Sequence, residues 1–474
     1  MGQLSKKTIG LFIDVITDYH SNGSYETLKN NVTLMSEENY AVMIRTLNFE
    51  RNDFEKDLIF VDNNAYKHLK KSEVYENDIL MNKIADPGSV YIMPNLKRPV
   101  TCGMNLFLIR FNKEVNQRYM FYCMKANEAY IKSLAHGTTT KTITKDDVRG
   151  ITLNTHDDLT DQNRIAKLLT NIDKKIEINK AISAELEKLA KTLYDYWFVQ
   201  FDFLNAKGKP YRASGGKMEY SEVLKREIPK GWEVASIKDI TKIVLGGTPD
   251  TKNKEYWGNE FSWLNSGEIA NFPVVASELM VTQKGINNSA TKLMPKGTTV
   301  ISITGNIRAS ILGFPSCANQ SVVGIYENDL FKCSFFYPLF SNMLRIYTTI
   351  STGNCQMHIN KGNIEDTLIS KPPEAIIKKY DEILMPIYKK IINIALETKQ
   401  LSELRDFLLP LLMNGQVRVG EKSESLKLVS NELKNNFDEN KYQSWLAQTK
   451  LAARGNMDEQ TLRKMFEAMD EDDR

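Results

Sequence analysis

From Asp158 to Phe203 the chain repeats apolar positions with a period of seven. Ile165, Ile172, Asn179, Leu186 and Leu193 mark one seam; Leu169, Ile176, Ala190 and Trp197 fill most of the other, with Ser183 as a gap. This is the a/d pattern of a coiled coil with one polar a position, Asn179. It predicts a long amphipathic helix, broken near Thr170–Asp173, where Thr170 or Asn171 would cap a second segment. The seam returns 215 positions later as Tyr380, Ile387, Ile394, Leu401 and Leu408. Its companion positions are Leu384, Ile391 and Leu412, interrupted by Thr398 and Arg405. Pro386 predicts a short helix up to that point and a restart there, running to about Leu412. Asn179 would select register if buried in the seam; a solvated edge position is the bland alternative.

The stretches before the two helices alternate in short steps. Val42–Phe49, Asp57–Asp62, Asp78–Ile84, Ser89–Met93 and Leu106–Phe111 predict strands, parted by turns such as Asp86–Ser89. Asn116–Ala135 has helical periodicity and stops before Gly137. In the second half Ser262–Ile269 answers the first strand and Thr298–Phe314 answers the Asp78–Met93 stretch. Ser351–Ile364 answers the segment around Gly137, at an offset of 216 that pairs Gly137 with Gly353 and Lys145 with Lys361. The fold class is therefore α/β (mixed α+β), as two duplicated globular domains and two long helices. The divisions are a first domain over 1–155, a helix over 156–204, a linker over 205–228, a second domain over 229–372, a helix over 373–416 and a charged helical tail over 417–474.

Composition changes this picture little. With 474 residues, 42% hydrophobic and 26% charged, the chain has room for several ordinary globular cores. The net charge of +3 is uneven: Asn456–Arg474 carries −4, which leaves +7 on the rest. A mildly basic body is compatible with a polyanionic partner, as it is with many enzymes. Five scattered cysteines without a CxxC pair, no signal-peptide core and no long apolar run predict a soluble, cytoplasmic, reduced protein with no membrane partner.

The most specific stretch is LYDYWFVQFDF, GKPY, SGGKM and LKREIPKGWE over Leu193–Glu233, leading into GGTPDTKNKEYWG at Gly246–Gly258. With RDFLLPLLMNGQV at Arg405–Val417 and the duplication, the chain resembles the DNA-specificity subunits of type I restriction–modification systems over roughly residues 1–416. The first domain departs from that pattern in lacking its GT-P and P-x-GW signatures.

The resemblance implies two target-recognition domains, each reading half of a split site in double-stranded DNA. It implies two helices paired antiparallel as a spacer ruler, and a scaffold for two methyltransferase subunits and for restriction/translocase subunits. The chain itself would bind no cofactor, with S-adenosylmethionine, ATP and Mg on those partner subunits. Reading a duplex needs polar side chains on loops held by strands. The candidates are Arg45, Asn48, Asn82, Lys83, Thr138, Thr139 and Lys141 in the first domain. In the second they are Thr248, Lys252, Lys254, Tyr256, Trp257, Asn265, Ser266, Arg308, Asn319 and Gln320. For each a solvated surface role competes, and for Trp257 a packing role.

No catalytic or metal constellation stands out. The histidines, His20, His68, His136, His156 and His358, are dispersed. SGGKM lacks the residues of a phosphate loop, KPPE at Lys371–Glu374 has the wrong flanks for an amino-methyltransferase, and the Glu397–Lys399 triplet lies on the coiled-coil helix. Two rival readings are an enzyme with an unrecognised site, which cofactor binding by the isolated chain would support, and a protein-binding coiled-coil scaffold, which assembly without DNA binding would support.

Overall fold

The computed structural model describes residues 4–138, 140–350 and 358–420, in two compact units. The first takes the chain up to Lys174 together with the stretch from Ser402; the second takes Lys175–Leu401. The two long helices, Leu159–Tyr194 and Glu374–Met413, each contribute a part to both units.

The first unit contains β1 (Leu4–Thr8), β2 (Ile13–Asp18), β3 (Ala41–Ile44), β4 (Ile59–Val61) and β5 (Glu73–Val74). It continues with β6 (Ile79–Asn82), β7 (Val90–Ile92), β8 (Val100–Cys102), β9 (Leu106–Phe111) and β10 (Thr152–His156). They form one sheet in the order β2-β9-β6-β7, a second in the order β4-β3-β8-β5, and the pair β1-β10. All pairings are antiparallel except β3 with β8, where Ile44 lies opposite Cys102.

The second unit has a hairpin of β11 (Met218–Ser221) and β12 (Arg226–Pro229), followed by β13 (Glu233–Ser236), β14 (Ile243–Leu245), β15 (Trp257–Leu264) and β16 (Leu279–Val281). Then come β17 (Thr299–Ser302), β18 (Ala309–Ile311), β19 (Ser316–Ala318), β20 (Val322–Ile325) and β21 (Leu368–Lys371). Its sheets, β14-β20-β17-β18, β16-β15-β19 and β13-β21, repeat the first unit's plan, with β15 and β19 as the parallel pair. The duplication thus reaches single hydrogen bonds. Ile143 N donates to Lys83 O in one unit and Ile359 N donates to Ile303 O in the other, both at 3.0 Å.

Within each unit the long helices meet antiparallel. In the second, Asn179 touches Glu397 while Tyr194, fifteen residues on, stacks edge-on against Tyr380. In the first, Asp173 accepts from Arg405 at 3.1 Å, and Ile165 and Leu169 share a core with Leu412 and Met413. Ile165, Ile172, Leu186, Leu193, Ile387 and Ile394 are buried as the heptads require; Leu401 and Leu408 are half-buried. Asn179 is 2% exposed, so it lies inside the seam.

The structure corrects several local expectations. The first long helix does not break at Thr170–Asp173. Thr170 is buried beside Arg118 and Asn171 is exposed within the continuous helix, so neither acts as a cap; Asp173 is taken up by Tyr122 and Arg405. The second long helix runs through Pro386 without restarting. The missing N–H there leaves the Glu382 carbonyl without its helical donor, a cost that flanking burial of Leu384, Ile387 and Tyr388 overcomes. Val42–Phe49 is not all strand: β3 ends at Ile44 and a helix spans Thr46–Glu50, capped by Asn48 accepting from Arg45 N at 2.9 Å. Asn116–Ala135 is two helices, Gln117–Ala126 and Glu128–Ser133, parted at Asn127. The strand expected over Ser262–Ile269 lies earlier, as β15.

The aromatic stretch after Leu193 has a packing role. The helix ends in a wide turn over Asp195–Val199, and Tyr194, Trp197, Phe198, Phe201 and Phe203 join Trp232 and Tyr380 in one core. Burying each ring removes on the order of 150–250 Å² from water. That explains why so specific a sequence stands there.

Candidate nucleic-acid interface

In each unit the polar loops gather at the carboxyl ends of the parallel strand pair. In the second unit this rim is built on close backbone approaches. Gly246 N donates to Val322 O at 2.9 Å, Gly247 N to Ala318 O at 2.8 Å, and Asn319 N to Leu264 O at 2.9 Å. A Cβ on Gly246 would lie 2.2 Å from the Asn319 oxygen, and one on Gly247 would lie 2.6 Å from the Ala290 carbonyl carbon. Only glycine fits at either place. The next residue, Thr248, donates its hydroxyl to Gln320 Oε1 at 2.6 Å, with both residues exposed. Asn265 and Ser266 follow β15 on this rim, half-buried; Asn265 Oδ1 accepts from Gly267 N and Glu268 N and fixes the turn.

Thr248, Asn265, Ser266, Asn319 and Gln320 are therefore brought together. Lys252 and Lys254 are exposed on the adjoining loop, which Trp257 anchors by donating to Asp250 O at 3.2 Å. Trp257 stands edge-on to Trp263 at 5.1 Å, so its ring packs the loop. Tyr256 is half-buried in the same turn. Arg308 is exposed beyond β17, where its backbone pairs with Ser302.

The first unit has the same rim with different chemistry. Gly103 N donates to Ile44 O at 2.8 Å, the counterpart of the Asn319–Leu264 bond. A cavity of about 340 Å³ opens there, lined by Arg45, Thr46, Glu50, Met104 and Asn105 among others. Arg45 is half-buried and donates to Asp57 O at 2.6 Å. The loop carrying Thr138 and Lys141 is closed by paired bonds between His136 and Thr142 and leans on Ile84, at the cavity's wall. Thr138 and Lys141 are exposed. Thr139 lies outside the described residues, as do Gly353 and Cys355.

Three first-domain candidates are engaged by the fold itself. Asn48 is buried and caps its own helix. Asn82 is fully buried, accepting from Thr46 and donating to Tyr91. Lys83 is committed to Asp18 at 2.5 Å, where Lys145 also donates at 3.1 Å. Burial alone would raise the Asp18 carboxyl, but hydrogen bonds from Lys83, Ser21 and Lys145 outweigh it and hold the group well below the usual carboxylate range. The ladder puts Leu245 where the first unit has Asp18, and Ile303 where it has Lys83, so this ion cluster belongs to one domain only. Sequence reasoning passed over Thr46, Met104 and Asn105. The register would have found them, since Met104 stands 216 positions before Gln320.

Among the described residues no group of three or more His, Cys, Asp or Glu side chains is placed to hold a metal ion. Cys102, Cys123, Cys317 and Cys333 are buried free thiols, and burial pushes Cys123 up to about 12 and Cys317 up to about 11, so they stay protonated at neutral pH. No helix among these residues is long and apolar enough to cross a membrane.

Comparison with known proteins agrees with this architecture. The family model "Type I restriction modification DNA specificity domain" matches twice, at residues 22–188 and 229–405. The type I restriction enzyme HindI specificity subunit of Haemophilus influenzae is 26% identical over 412 residues, covering 73% of this chain and 88% of its own length. The MjaIX specificity subunit of Methanocaldococcus jannaschii is 25% identical over 350 residues, covering 72% of this chain and 78% of its own. The crystal structure of the type I system S subunit from M. genitalium shares the fold at a TM-score of 0.55 and 15% identity, covering 86% of this chain and 96% of that one.

Proposed function

Since the chain belongs to the type I restriction–modification DNA-specificity family, we propose that it reads a bipartite, asymmetric duplex site, one half-site per recognition domain. Specificity subunits of this family are non-catalytic, act in complexes and bind DNA. In our reading the helices serve as the spacer ruler, and their outward faces scaffold two methyltransferase subunits and the restriction/translocase subunits. S-adenosylmethionine, ATP and Mg are then held by those partners, in the cytoplasm where the DNA is. The observation that carries the reading is the repeated rim: two copies of one topology, each gathering polar loops at the carboxyl ends of its parallel pair, with different side chains on the two. Different side chains on equivalent frames are what an asymmetric site requires.

The test is selection of randomised duplexes by the chain co-expressed with its methyltransferase partner. Two short blocks at one fixed separation are the expected outcome. A single contiguous block would mean that one domain reads alone, and no block at all would favour a protein-binding scaffold.

A further inference from the structure

We propose that Gln320 is a base-reading side chain of the second domain and that the base it reads is an adenine, approached from the major groove. The assignment rests on the DNA-binding reading of this rim and deepens it.

A long exposed glutamine ordinarily samples many rotamers, and ordering it on DNA costs roughly 1–2 kcal/mol. Here much of that cost is met before binding. Gln320 stands in the turn between β19 and β20, whose backbone is fastened on three sides: to Leu264 through Asn319 N, to Ile303 through Ser321 O, and to the Gly246–Gly247 segment. The double glycine, where no Cβ could fit, brings Thr248 close enough to donate to Gln320 Oε1 at 2.6 Å. A solvated glutamine needs no such buttress.

The bond also selects the edge presented. With one Oε1 lone pair taken by Thr248, the amide still offers the second lone pair beside the Nε2 hydrogens. An acceptor next to a donor matches adenine, which shows N6–H and N7 in the major groove. Guanine shows two acceptors there and would leave Oε1 facing a like group, and cytosine shows only a donor. In the first domain the equivalent position is Met104, which has no such edge, so the assignment belongs to one half-site.

The duplex selection, run on the assembled complex, compares the natural chain with Gln320→Ala, Thr248→Ala and Gln320→Glu, each checked for an unchanged unfolding midpoint. In Gln320→Ala one adenine of one block should lose about ten- to a hundred-fold of its preference, the discrimination a good bidentate contact confers. The other block and the salt dependence should not move, because no phosphate contact is lost. Thr248→Ala should loosen the same position by a smaller factor, and Gln320→Glu should move it toward cytosine, whose amine a carboxylate accepts. A natural-chain consensus that Gln320→Ala leaves intact, or blurs at many positions together with a shallower salt dependence, overturns the assignment alone. No consensus for the natural chain overturns the reading of the rim, and the assignment with it.

Discussion

Asp18 shows how a polar residue type misleads until its partners are known. Lys83 has the composition of a phosphate contact, yet its ammonium is spent on Asp18 and stands over the Phe107 ring, 5.2 Å from the centroid. Lys145 reaches the same carboxylate from its helix and Ser21 closes the cluster. Asp18→Asn would leave two ammonium groups facing each other in a partly buried site, and should destabilise the first unit by roughly 2–4 kcal/mol at pH 7. Because the folded carboxyl is held below its unfolded value of about 3.9, its contribution is fully present above that value and is lost as pH falls toward the folded one. Denaturant unfolding of both proteins should therefore give a constant gap from pH 5 to 8 that narrows below about pH 4. A gap that widened on acidification would show that the cluster is not what stabilises this corner. Asn48 and Asn82 misled in the same way, because sequence states what a side chain offers and not whether backbone, a neighbour or DNA accepts it. The glycine pair beside Thr248 was the more legible signal. Two adjacent glycines in a strand-to-loop transition mark a backbone approach, whatever polar groups surround it.

At the scale of elements, the long helices were legible because a seven-residue period over five repeats has few other physical solutions. Their interruptions were misjudged because capping types and proline act locally, while the burial of Leu169, Ile172 and Ile176 on one side and Leu384, Ile387 and Ile391 on the other acts along the whole element. The Thr46–Glu50 helix was hidden for the opposite reason: the Asn48 side chain, accepting from Arg45 N and donating to Asp53 O, turns the chain at a point where the apolar alternation continues. Asn179 is the position where the seam can be tested. Its Nδ2 donates to Glu397 Oε2 at 2.8 Å, and Lys175 approaches the other carboxylate oxygen at 3.4 Å. Asn179→Asp keeps the shape but sets a buried carboxylate against Glu397. We expect a loss of about 1–3 kcal/mol at neutral pH. The new carboxyl, raised by burial and by its neighbour, would take up a proton as pH falls below its folded value, and the lost stability should return. An unchanged melting temperature at pH 7.5 would mean that this part of the seam opens to water.

For the whole molecule, the duplication places each domain between two adjacent strands. β1 enters and β10 leaves in one unit as an antiparallel pair, as β13 and β21 do in the other. Just inside these pairs Ile9 N donates to Ile151 O at 2.9 Å and Ile237 N donates to Thr367 O at 3.0 Å. The ends of each recognition domain are thus held together by the chain's own ladder, so the domain behaves as an insert whose removal leaves two neighbouring ends. Ser334 and Tyr337 of the enclosed segment bond Asp381 and Glu187 on the long helices, and Phe335 and Phe336 share their core. Exchanging the segment between Ile237 and Thr367 for that of a family member, with the Cys333–Ile350 helix kept, should leave the long helices and the first unit undisturbed, because the joints fall on backbone hydrogen bonds that any sequence can make. Duplex selection on the hybrid should then return one block unchanged, one block replaced, and the same separation between them. If both blocks change, the domains do not read independently and the half-site energies are coupled. If the separation changes while the blocks stay as expected, spacing is set by the domain rather than by the helices.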